Sequence, residues 1–138
     1  MIDTSAVVAV LQDEPERPAF NAAVGAAARR LMSTASFVET SMVIEARFGA
    51  RGIRDLDLWL RKALVRFVDV DINQAHIARR AFQSFGKGRH RAALNFGDCF
   101  AYAAAVATGE ALLFKGDDFG RTDVLVHGTS VGERDSSP

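Results

Sequence analysis

The sequence predicts an α/β protein, built as a three-layer α/β/α sandwich around a mostly parallel central sheet. Short apolar runs alternate along the chain with helical patterns of ten or more residues. Because connections of that length cross over between strands, consecutive strands are expected to run parallel, with helices on both faces of the sheet. The 138 residues, with 49% hydrophobic and 25% charged side chains, fit one globular domain.

The first half of the chain is predicted to hold two strands and four helices. Residues 1–2 form a strand stub, residues 5–11 and 16–30 form helices, and residues 31–35 form a short strand. Ser36 opens a third helix that ends at residues 49–52, where two glycines stand. Residues 53–67 form an amphipathic fourth helix, and Trp59 on its apolar stripe is expected in the core or at a dimer interface.

The second half is predicted to alternate three strands with two helices. The strands are residues 68–70, 111–114 and 124–126, and the helices are residues 73–85 and 97–108. Glycines follow both helices, as expected for helix ends. Residues 1–127 are therefore expected to form a single domain. Residues 128–138 contain one aliphatic side chain and are expected to be a disordered tail.

Charge, cysteine content and hydropathy exclude several classes of protein. The 17 Lys and Arg residues balance 17 Asp and Glu residues, so a nucleic-acid signal must be local rather than global. The single cysteine, Cys99, excludes a disulfide framework and a cysteine-based zinc site, and is expected to be buried. Since no targeting segment or membrane-length apolar run is visible, the chain is expected to be cytoplasmic, with no membrane partner.

Acidic residues stand where predicted strands end or helices begin. Asp3 follows the first strand, Glu39 lies in the first turn of the helix after the second strand, and Asp98 opens a helix. Asp117 and Asp118 follow the strand near the end of the chain. Because ligands bind outside the carboxyl ends of the strands in an open parallel sheet, these acids are expected to converge there.

The chemistry of such an acidic cluster favours a hard divalent cation. Neighbouring carboxylates repel one another, and a cation removes that repulsion. Mg²⁺ and Mn²⁺ prefer oxygen ligands, and Mg²⁺ takes one or two carboxylates together with water and phosphate oxygens. A cluster without histidine or cysteine therefore points to phosphate chemistry with metal-activated water rather than to zinc hydrolysis.

Each acid also fits a purely structural role. Ser36 and Glu39 match a capping box, Asp3 and Asp98 suit helix N-caps, and the last two acids suit a turn. Capping does not require the acids to meet in space. Their convergence in the structure is therefore the observation that separates the two interpretations.

A basic stretch precedes Asp98. Residues 72–97 contain no acidic side chain, and Lys87, Arg89 and Arg91 lie in a glycine-containing centre that is expected to be flexible. These three cations are candidates to hold a nucleic-acid backbone. The alternative is a solvated loop near a helix end, where cations suit the helix dipole.

Four segments resemble, in order, the four motifs of PIN-domain ribonucleases. They are IDTSA at residues 2–6, STASFVET at residues 33–40, LNFGDCF at residues 94–100 and LLFKGDDF at residues 112–119. The set is most similar to VapC-type toxins of bacterial toxin–antitoxin pairs, and GKGRHR at residues 86–91 is similar to one subgroup of them. The resemblance covers about residues 1–126.

The resemblance implies a metal-dependent endoribonuclease with a PIN-like fold. It implies Mg²⁺ or Mn²⁺ as cofactor, RNA as substrate, a homodimer, and inhibition by a cognate antitoxin of the VapB type. The family's principal metal ligands match Asp3 and Asp98, and its second acid matches Glu39, as a ligand or a group that orients water. Ser5 matches a hydroxyl that supports the first acid. The basic candidates Lys87, Arg89 and Arg91 would then contact RNA.

The fourth acid is the point at which this chain departs from the family pattern. Many relatives place an aspartate three residues before the phenylalanine of this motif, where this chain has Gly116. Asp118 fits the subgroup pattern better, Asp117 is the second candidate and Asp123 is the third. The fourth catalytic acid is therefore expected at Asp118, with the number of metal ions left open.

Two other functions are carried as alternatives. A phosphatase of the haloacid dehalogenase type should end its first strand in Asp-x-Asp, whereas this chain has Asp3-Thr4-Ser5 and lacks the second acid. A non-catalytic interaction module would bind a partner chain through the Trp59 helix or the basic stretch, and would bind no metal.

Overall fold

The computed structural model of the chain describes residues 1–127. In that range the helices are α1 (Thr4–Leu11), α2 (Arg17–Ala26), α3 (Thr34–Lys62), α4 (Ile72–Phe85) and α5 (Phe96–Thr108). The strands are β1 (Leu31–Ser33) and β2 (Arg66–Val68), and a short 3-10 helix covers Phe119–Arg121. The predicted tail at residues 128–138 lies outside the described residues.

The strands form a parallel sheet that single bridges extend. β1 pairs with β2 in parallel. On the other side of β1, the backbone N–H of Ile2 donates to the Leu31 carbonyl at 2.8 Å. Parallel bridges then join Ile2 to Leu113 and Leu112 to Val126. The predicted parallel sheet is confirmed, although its first segment and its last two strands are reduced to single bridges.

Alternate side chains of the sheet face two separate hydrophobic cores. The core shared with α4 and α5 contains the sheet residues Met1, Leu31, Leu112 and Phe114. The core shared with α1, α2 and α3 contains the sheet residues Ile2, Met32 and Leu113. Because successive side chains of a strand point to opposite faces, this alternation places helices on both sides. The predicted three-layer α/β/α architecture is therefore confirmed.

The predicted break between the third and fourth helices is one residue wide. Gly49 has φ 64° and ψ −153°, a conformation that interrupts the helix and that glycine adopts without steric cost. The helical segments on either side together form α3, which ends at Lys62. The break was predicted at residues 49–52, and the structure confines it to the first of these.

The end of α3 was predicted too far along the chain. Leu64 has a left-handed φ of 55°, and the Arg66 N–H donates to the Arg30 carbonyl at 2.8 Å. Phe67 therefore lies on β2 instead of the helix, and the strand predicted at residues 68–70 is displaced to Arg66–Val68. The apolar stripe did not reveal this, because pairing with β1 is a contact between distant parts of the chain.

The second helix was also predicted too long. It ends at Ala26, and Ala27 is extended, so the alanine-rich segment leaves the helix four residues early. The Arg30 guanidinium donates to the carbonyls of Ala63 and Gly25, at 3.0 and 2.9 Å. These bonds fix the segment before β1 to the end of both helices, which helix propensity alone does not encode.

Two expectations about buried side chains can be compared with the structure. Cys99 is buried, with 4% of its surface exposed, as predicted. Trp59 packs partly buried in the core shared with α1 to α3, and its Nε1 donates to Asn21 Oδ1 of α2 at 3.1 Å. Of its two predicted positions, the structure shows the core. Within residues 1–127, no helix has the length and apolar character needed to cross a membrane.

Candidate functional site

Asp3 lies at the carboxyl end of the first sheet segment, where the chain turns into α1. Its side chain is 3% exposed and accepts the Ser5 N–H at 3.0 Å as the N-cap of the helix. The Ser5 hydroxyl donates to the same oxygen at 2.6 Å, and in turn accepts the Lys115 N–H at 2.9 Å. Oδ2 of Asp3 is thus bonded to Ser5 directly and connected to Lys115 through the Ser5 hydroxyl. Asp3 therefore has the capping role that the sequence suggested.

Asp98 forms a capping box with Asn95 at the start of α5. The Asn95 side chain accepts the Asp98 N–H at 2.9 Å, and the Asp98 carboxylate accepts the Asn95 N–H at 3.0 Å through Oδ2. The N-cap is therefore Asn95, not Asp98 as the capping alternative proposed, and Asp98 is the third helical residue. Within residues 1–127, Oδ1 of Asp98 makes no hydrogen bond. That oxygen is available to a ligand.

Glu39 reaches the start of α5 from the second turn of α3, one turn later than predicted. A Cβ built at Gly97 would overlap the Glu39 carboxylate. Ser33 caps α3 by accepting the Ala35 N–H at 3.2 Å, so the capping box considered for Ser36 and Glu39 is wrong. The Glu39 carboxylate is therefore free of a capping role and lies against the residue before Asp98.

Burial and the charges of neighbouring acids raise the pKa of Asp3 and of Asp98. Burial raises the pKa of Asp3 from 3.8 to about 6; the Ser5 hydrogen bonds oppose the rise, and the charges of Asp98 and Glu39 add to it. The pKa of Asp98 is also raised, first by burial and then by the charges of Glu39 and Asp118. Carboxylates from three distant parts of the chain therefore lie within one electrostatic neighbourhood.

A buried cluster of hydroxyls fixes the start of α1 to the start of α3. The Thr4 hydroxyl donates to the Ser36 carbonyl at 3.2 Å. The Thr40 hydroxyl lies 2.7 Å from the same carbonyl and 3.0 Å from the Thr4 hydroxyl. Since Thr4 follows Asp3 and Thr40 follows Glu39, this cluster sets the relative position of the two acids.

The three candidates for the fourth acid have different surroundings. Asp117 and Asp118 are exposed just before the 3-10 helix. The charge of Asp118 contributes to the raised pKa of Asp98. Asp123 instead accepts the Tyr102 hydroxyl at 2.5 Å, and burial followed by this bond raises the pKa of Tyr102. Of the three, Asp118 is the one whose charge reaches Asp98.

The donor set fits a hydrated divalent cation better than a closed metal cage. In the part of the chain that the structure describes, no group of three or more His, Cys, Asp and Glu side chains is arranged to hold a metal ion. The acids that influence one another offer carboxylate oxygen alone, the ligand that Mg²⁺ and Mn²⁺ prefer. Because Mg²⁺ keeps several waters and takes one or two carboxylates, it does not require a closed cage.

The basic segment forms a closed loop that leads into α5. Lys87 N–H donates to the Leu94 carbonyl and His90 N–H to the Gly86 carbonyl, at 2.9 and 3.0 Å. A Cβ at Gly86 would overlap the Phe82 carbonyl, so glycine is required for this approach. The predicted flexible centre is therefore folded on itself, with the side chains of the three predicted cations, Lys87, Arg89 and Arg91, exposed.

Sequence reasoning missed an ion-pair network beside Ser5. Lys115, expected as a solvated turn residue, pairs with Glu14, and with Glu16 at 3.2 Å. These bonds raise the pKa of Lys115. The glutamates lie between α1 and α2, about a hundred residues before Lys115. No local spacing could have identified partners this far apart.

An exposed aromatic side chain marks the first residue of α5. Phe96 is 81% exposed and meets Phe100 edge-on, with ring centroids 4.8 Å apart. The spacing of four residues between the two rings was the available sequence signal, since such residues share a helix face. This places an unburied ring two residues before Asp98.

Comparisons with known proteins match nearly the whole chain. The family model described as PIN domain matches residues 1–125. The chain is 59% identical over 124 residues to Ribonuclease VapC30 of Mycobacterium tuberculosis, covering 90% of this chain and 95% of the relative. It is 56% identical over 124 residues to Ribonuclease VapC of Mycolicibacterium smegmatis, covering 90% and 96%.

A solved structure has the same fold. The crystal structure of Mycobacterium tuberculosis VapC20, a sarcin–ricin loop cleaving toxin, matches with a TM-score of 0.71 at 16% identity. The match covers 90% of this chain and 95% of that one. At this identity the likeness concerns the fold.

Proposed function

The chain belongs to the PIN-domain family, and on that premise we propose that it is an endoribonuclease toxin of the VapC type. It hydrolyses RNA phosphodiester bonds with Mg²⁺ or Mn²⁺ and is neutralised by a cognate VapB-type antitoxin. The single observation that carries the proposal is the shared electrostatic neighbourhood of Asp3, Glu39 and Asp98. Beyond the effect of burial, the charges of Asp98 and Glu39 raise the pKa of Asp3, and the charge of Glu39 raises the pKa of Asp98.

Each acid has a role that follows from its surroundings. Asp3 and Asp98 would hold a divalent ion, since Ser5 orients the first and the Asn95 capping box orients the second. Glu39 would be a further ligand or would accept a proton from the attacking water. Asp118 is the proposed fourth acid, and Asp117 is the second candidate for that role.

A bound divalent ion would supply positive charge that offsets the repulsion among the acids and would lower the pKa of a bound water. The chain's own contribution is orientation. Ser5 donates to Oδ2 of Asp3 and the Asn95 N–H donates to Oδ2 of Asp98, so within residues 1–127 Oδ1 of each acid is left without a hydrogen bond. Gly97 leaves room for the Glu39 carboxylate beside them.

The basic loop and Phe96 are the proposed RNA contacts beside the acids. Lys87, Arg89 and Arg91 are exposed on a loop whose last residues lead into α5. The exposed ring of Phe96 offers a surface on which an unpaired base can stack. The phosphate backbone would follow the cations toward the acids.

The homodimer and the antitoxin are part of the same proposal. Val38 and Met42, one turn apart on α3, are 54% and 68% exposed, which supports a partner surface on this helix. Light scattering on the purified chain measures the dimer, and copurification with the antitoxin measures the complex. The proposal also places the chain in the cytoplasm, together with its RNA substrate.

The decisive experiment is incubation of the purified protein with a panel of RNAs, with and without Mn²⁺, beside the variant Asp98→Asn. The amide oxygen of asparagine still accepts the Asn95 N–H, so the helix cap survives while a negative charge is lost. Asp57→Asn, at an exposed position of α3, is the matched control. We expect Mn²⁺-dependent cleavage by wild type and Asp57→Asn and none by Asp98→Asn. Equal cleavage by both variants would contradict the proposal.

The two alternatives predict different measurements. A phosphatase of the haloacid dehalogenase type would form an aspartyl-phosphate at Asp3, but the residue two positions later is Ser5, whose hydroxyl is bonded to Asp3. Trapping of that phosphoenzyme would favour this alternative. A non-catalytic module would show no heat of Mn²⁺ binding in calorimetry.

A further inference from the structure

An open cleft lies at the amino-terminal edge of the sheet, away from the acids. It has a volume of about 540 Å³ and is lined by residues 27–31, 64 and 66–68, where β1 and β2 begin. Three arginines and no acidic residue belong to this lining. A cleft with this charge is suited to an anionic ligand.

The three arginines are held differently. Arg30 is committed to the carbonyls of Ala63 and Gly25, so it shapes the cleft. Arg29 pairs with Glu110 at 3.2 Å, which offsets part of its charge. Arg66 is exposed, and although its backbone N–H pairs with Arg30, its guanidinium has no hydrogen bond or ion pair to any residue in the range 1–127. Arg66 is therefore the cation most available to a ligand.

Phe67, the residue after Arg66 on β2, also lines the cleft, although successive side chains of a strand leave opposite faces of the sheet. Phe67 is 46% exposed although it belongs to the sheet, and Leu64 beside it is 71% exposed. An unpaired nucleotide presents a charged phosphate and a flat base, joined by its ribose. A free guanidinium and an exposed ring that line one cleft match these two groups, because phosphates pair with arginine and bases stack on aromatic side chains.

The cleft and the start of α3 lie at opposite ends of the short strand β1. β1 has three residues, so about 10 Å of strand separates the cleft from the start of α3, the helix that carries Glu39. Phe67 also meets Phe37 edge-on, with centroids 5.1 Å apart, and Phe37 lies two residues before Glu39. A flexible RNA strand of several nucleotides can span this distance.

We propose that this arginine cleft is a second RNA-binding surface, which holds a single-stranded part of the substrate away from the bond that is cut. The inference rests on the proposed function, since it assumes that RNA is the substrate. The ligand is a single-stranded RNA segment, with phosphate on Arg66 and a base on Phe67.

The test is fluorescence anisotropy of a labelled single-stranded RNA with the full chain, in EDTA and over a series of salt concentrations. Arg66→Ala is expected to weaken binding and to reduce the slope of log affinity against log salt by about 0.7, the value for one phosphate contact. Arg66→Lys is expected to restore the slope. Phe67→Ala is expected to weaken binding about tenfold without changing the slope.

The control is Arg54→Ala, an exposed arginine on α3 outside the cleft, which is expected to match wild type. An Arg66→Ala variant with the affinity and slope of Arg54→Ala would overturn the inference, and would leave an acidic protein segment as the alternative occupant. Cleavage by wild type with Mn²⁺ is measured in parallel. Loss of cleavage in wild type contradicts the proposed function, whereas an altered slope without cleavage still supports RNA binding by the cleft.

Discussion

The carboxylate of Glu39 lies in the space that a side chain at position 97 would need, so Gly97 and Glu39 fit together as a pair. Gly97 is in the first turn of α5, where alanine would otherwise suit the helix. The glycine is thus explained by the acid that it admits rather than by the backbone of its own helix.

Gly97→Ala is expected to displace Glu39 and to lower cleavage at least tenfold while the chain remains folded. The added methyl group overlaps the carboxylate, which must leave its present position beside Gly97. RNA cleavage rates and circular dichroism measure the two effects. In a chain that already carries Glu39→Gln, the same substitution should cost little more, because the group it displaces is already impaired.

The matched control for that substitution is Gly25→Ala. Gly25 lies in α2 with no atom within 4 Å of an added Cβ. Alanine there should leave cleavage unchanged and stabilise the fold by about 0.5–1 kcal/mol. Equal activity of both alanine variants would show that the position of Glu39 does not matter.

Asp3→Asn is expected to stabilise the metal-free protein above pH 6. Burial raises the pKa of Asp3 from 3.8 to about 6, so the folded state prefers the protonated acid. The stability that wild type gains from protonated Asp3 is fully present below pH 4 and is lost as the pH rises through 6. The free energy of unfolding of the variant should exceed that of wild type by roughly 2–3 kcal/mol at pH 8 and should match it below pH 4.

Denaturant unfolding in EDTA across this pH range measures the effect of Asp3→Asn. Addition of Mn²⁺ should stabilise wild type and leave the variant unchanged. If the difference in free energy of unfolding between the two proteins is the same at every pH, ionisation of Asp3 does not destabilise the fold.

Ser5→Ala is expected to lower cleavage about tenfold below pH 7, because a hydrogen bond to a charged group is lost. The Ser5 hydroxyl bond lowers the pKa of Asp3 more than the backbone N–H bond, which alanine keeps, so loss of the hydroxyl raises this pKa and leaves less of the acid ionised. The acidic limb of the pH–rate profile should therefore move to higher pH. Ser5→Thr keeps the hydroxyl and is the control; a profile that is the same in both variants would contradict the role.

Alanine at Lys87, Arg89 and Arg91 together is expected to weaken RNA binding and to reduce the salt slope by about 2, since three phosphate contacts are removed. The same measurement on Arg51→Ala and Arg54→Ala, both exposed on α3, supplies the comparison. A slope that falls equally in both proteins would show that charge alone, rather than this loop, determines binding.

Asp118→Asn is expected to reduce cleavage more than Asp117→Asn, because the charge of Asp118 reaches Asp98. Asp123→Asn should instead lower the pKa of Tyr102, whose hydroxyl it accepts. Cleavage rates compare Asp118→Asn with Asp117→Asn, and ultraviolet titration of Tyr102 measures the effect of Asp123→Asn. Greater loss in Asp117→Asn would exchange the two assignments.

The sequence predicted those features of the fold that depend on local pattern. The alternation of apolar runs and helices predicted a parallel α/β/α sandwich, because helix and strand periods are local properties. The position of Asp3 after the first sheet segment followed from the same pattern, and so did the position of Asp98 in the first turn of α5. What brings these two acids together is the parallel order of the sheet.

Features that depend on distant contacts were not predictable. The end of α3 at Lys62 depends on Arg30, which holds the Ala63 carbonyl and accepts the Arg66 N–H. The pairing of Lys115 with two glutamates from the segment before α2 leaves no spacing signal either. In both cases the partners are more than thirty residues apart.

The hydrogen bonds inside the basic loop have a thermodynamic consequence. Lys87 and Leu94 are paired through their backbones, and the turn at Gly86 is closed before any ligand arrives. An anion that meets Lys87, Arg89 and Arg91 therefore orders side chains but little backbone. Fixing the backbone costs about 1–2 kcal/mol per residue. Recognition by this loop therefore avoids most of the entropic penalty that a disordered segment of the same charge would incur.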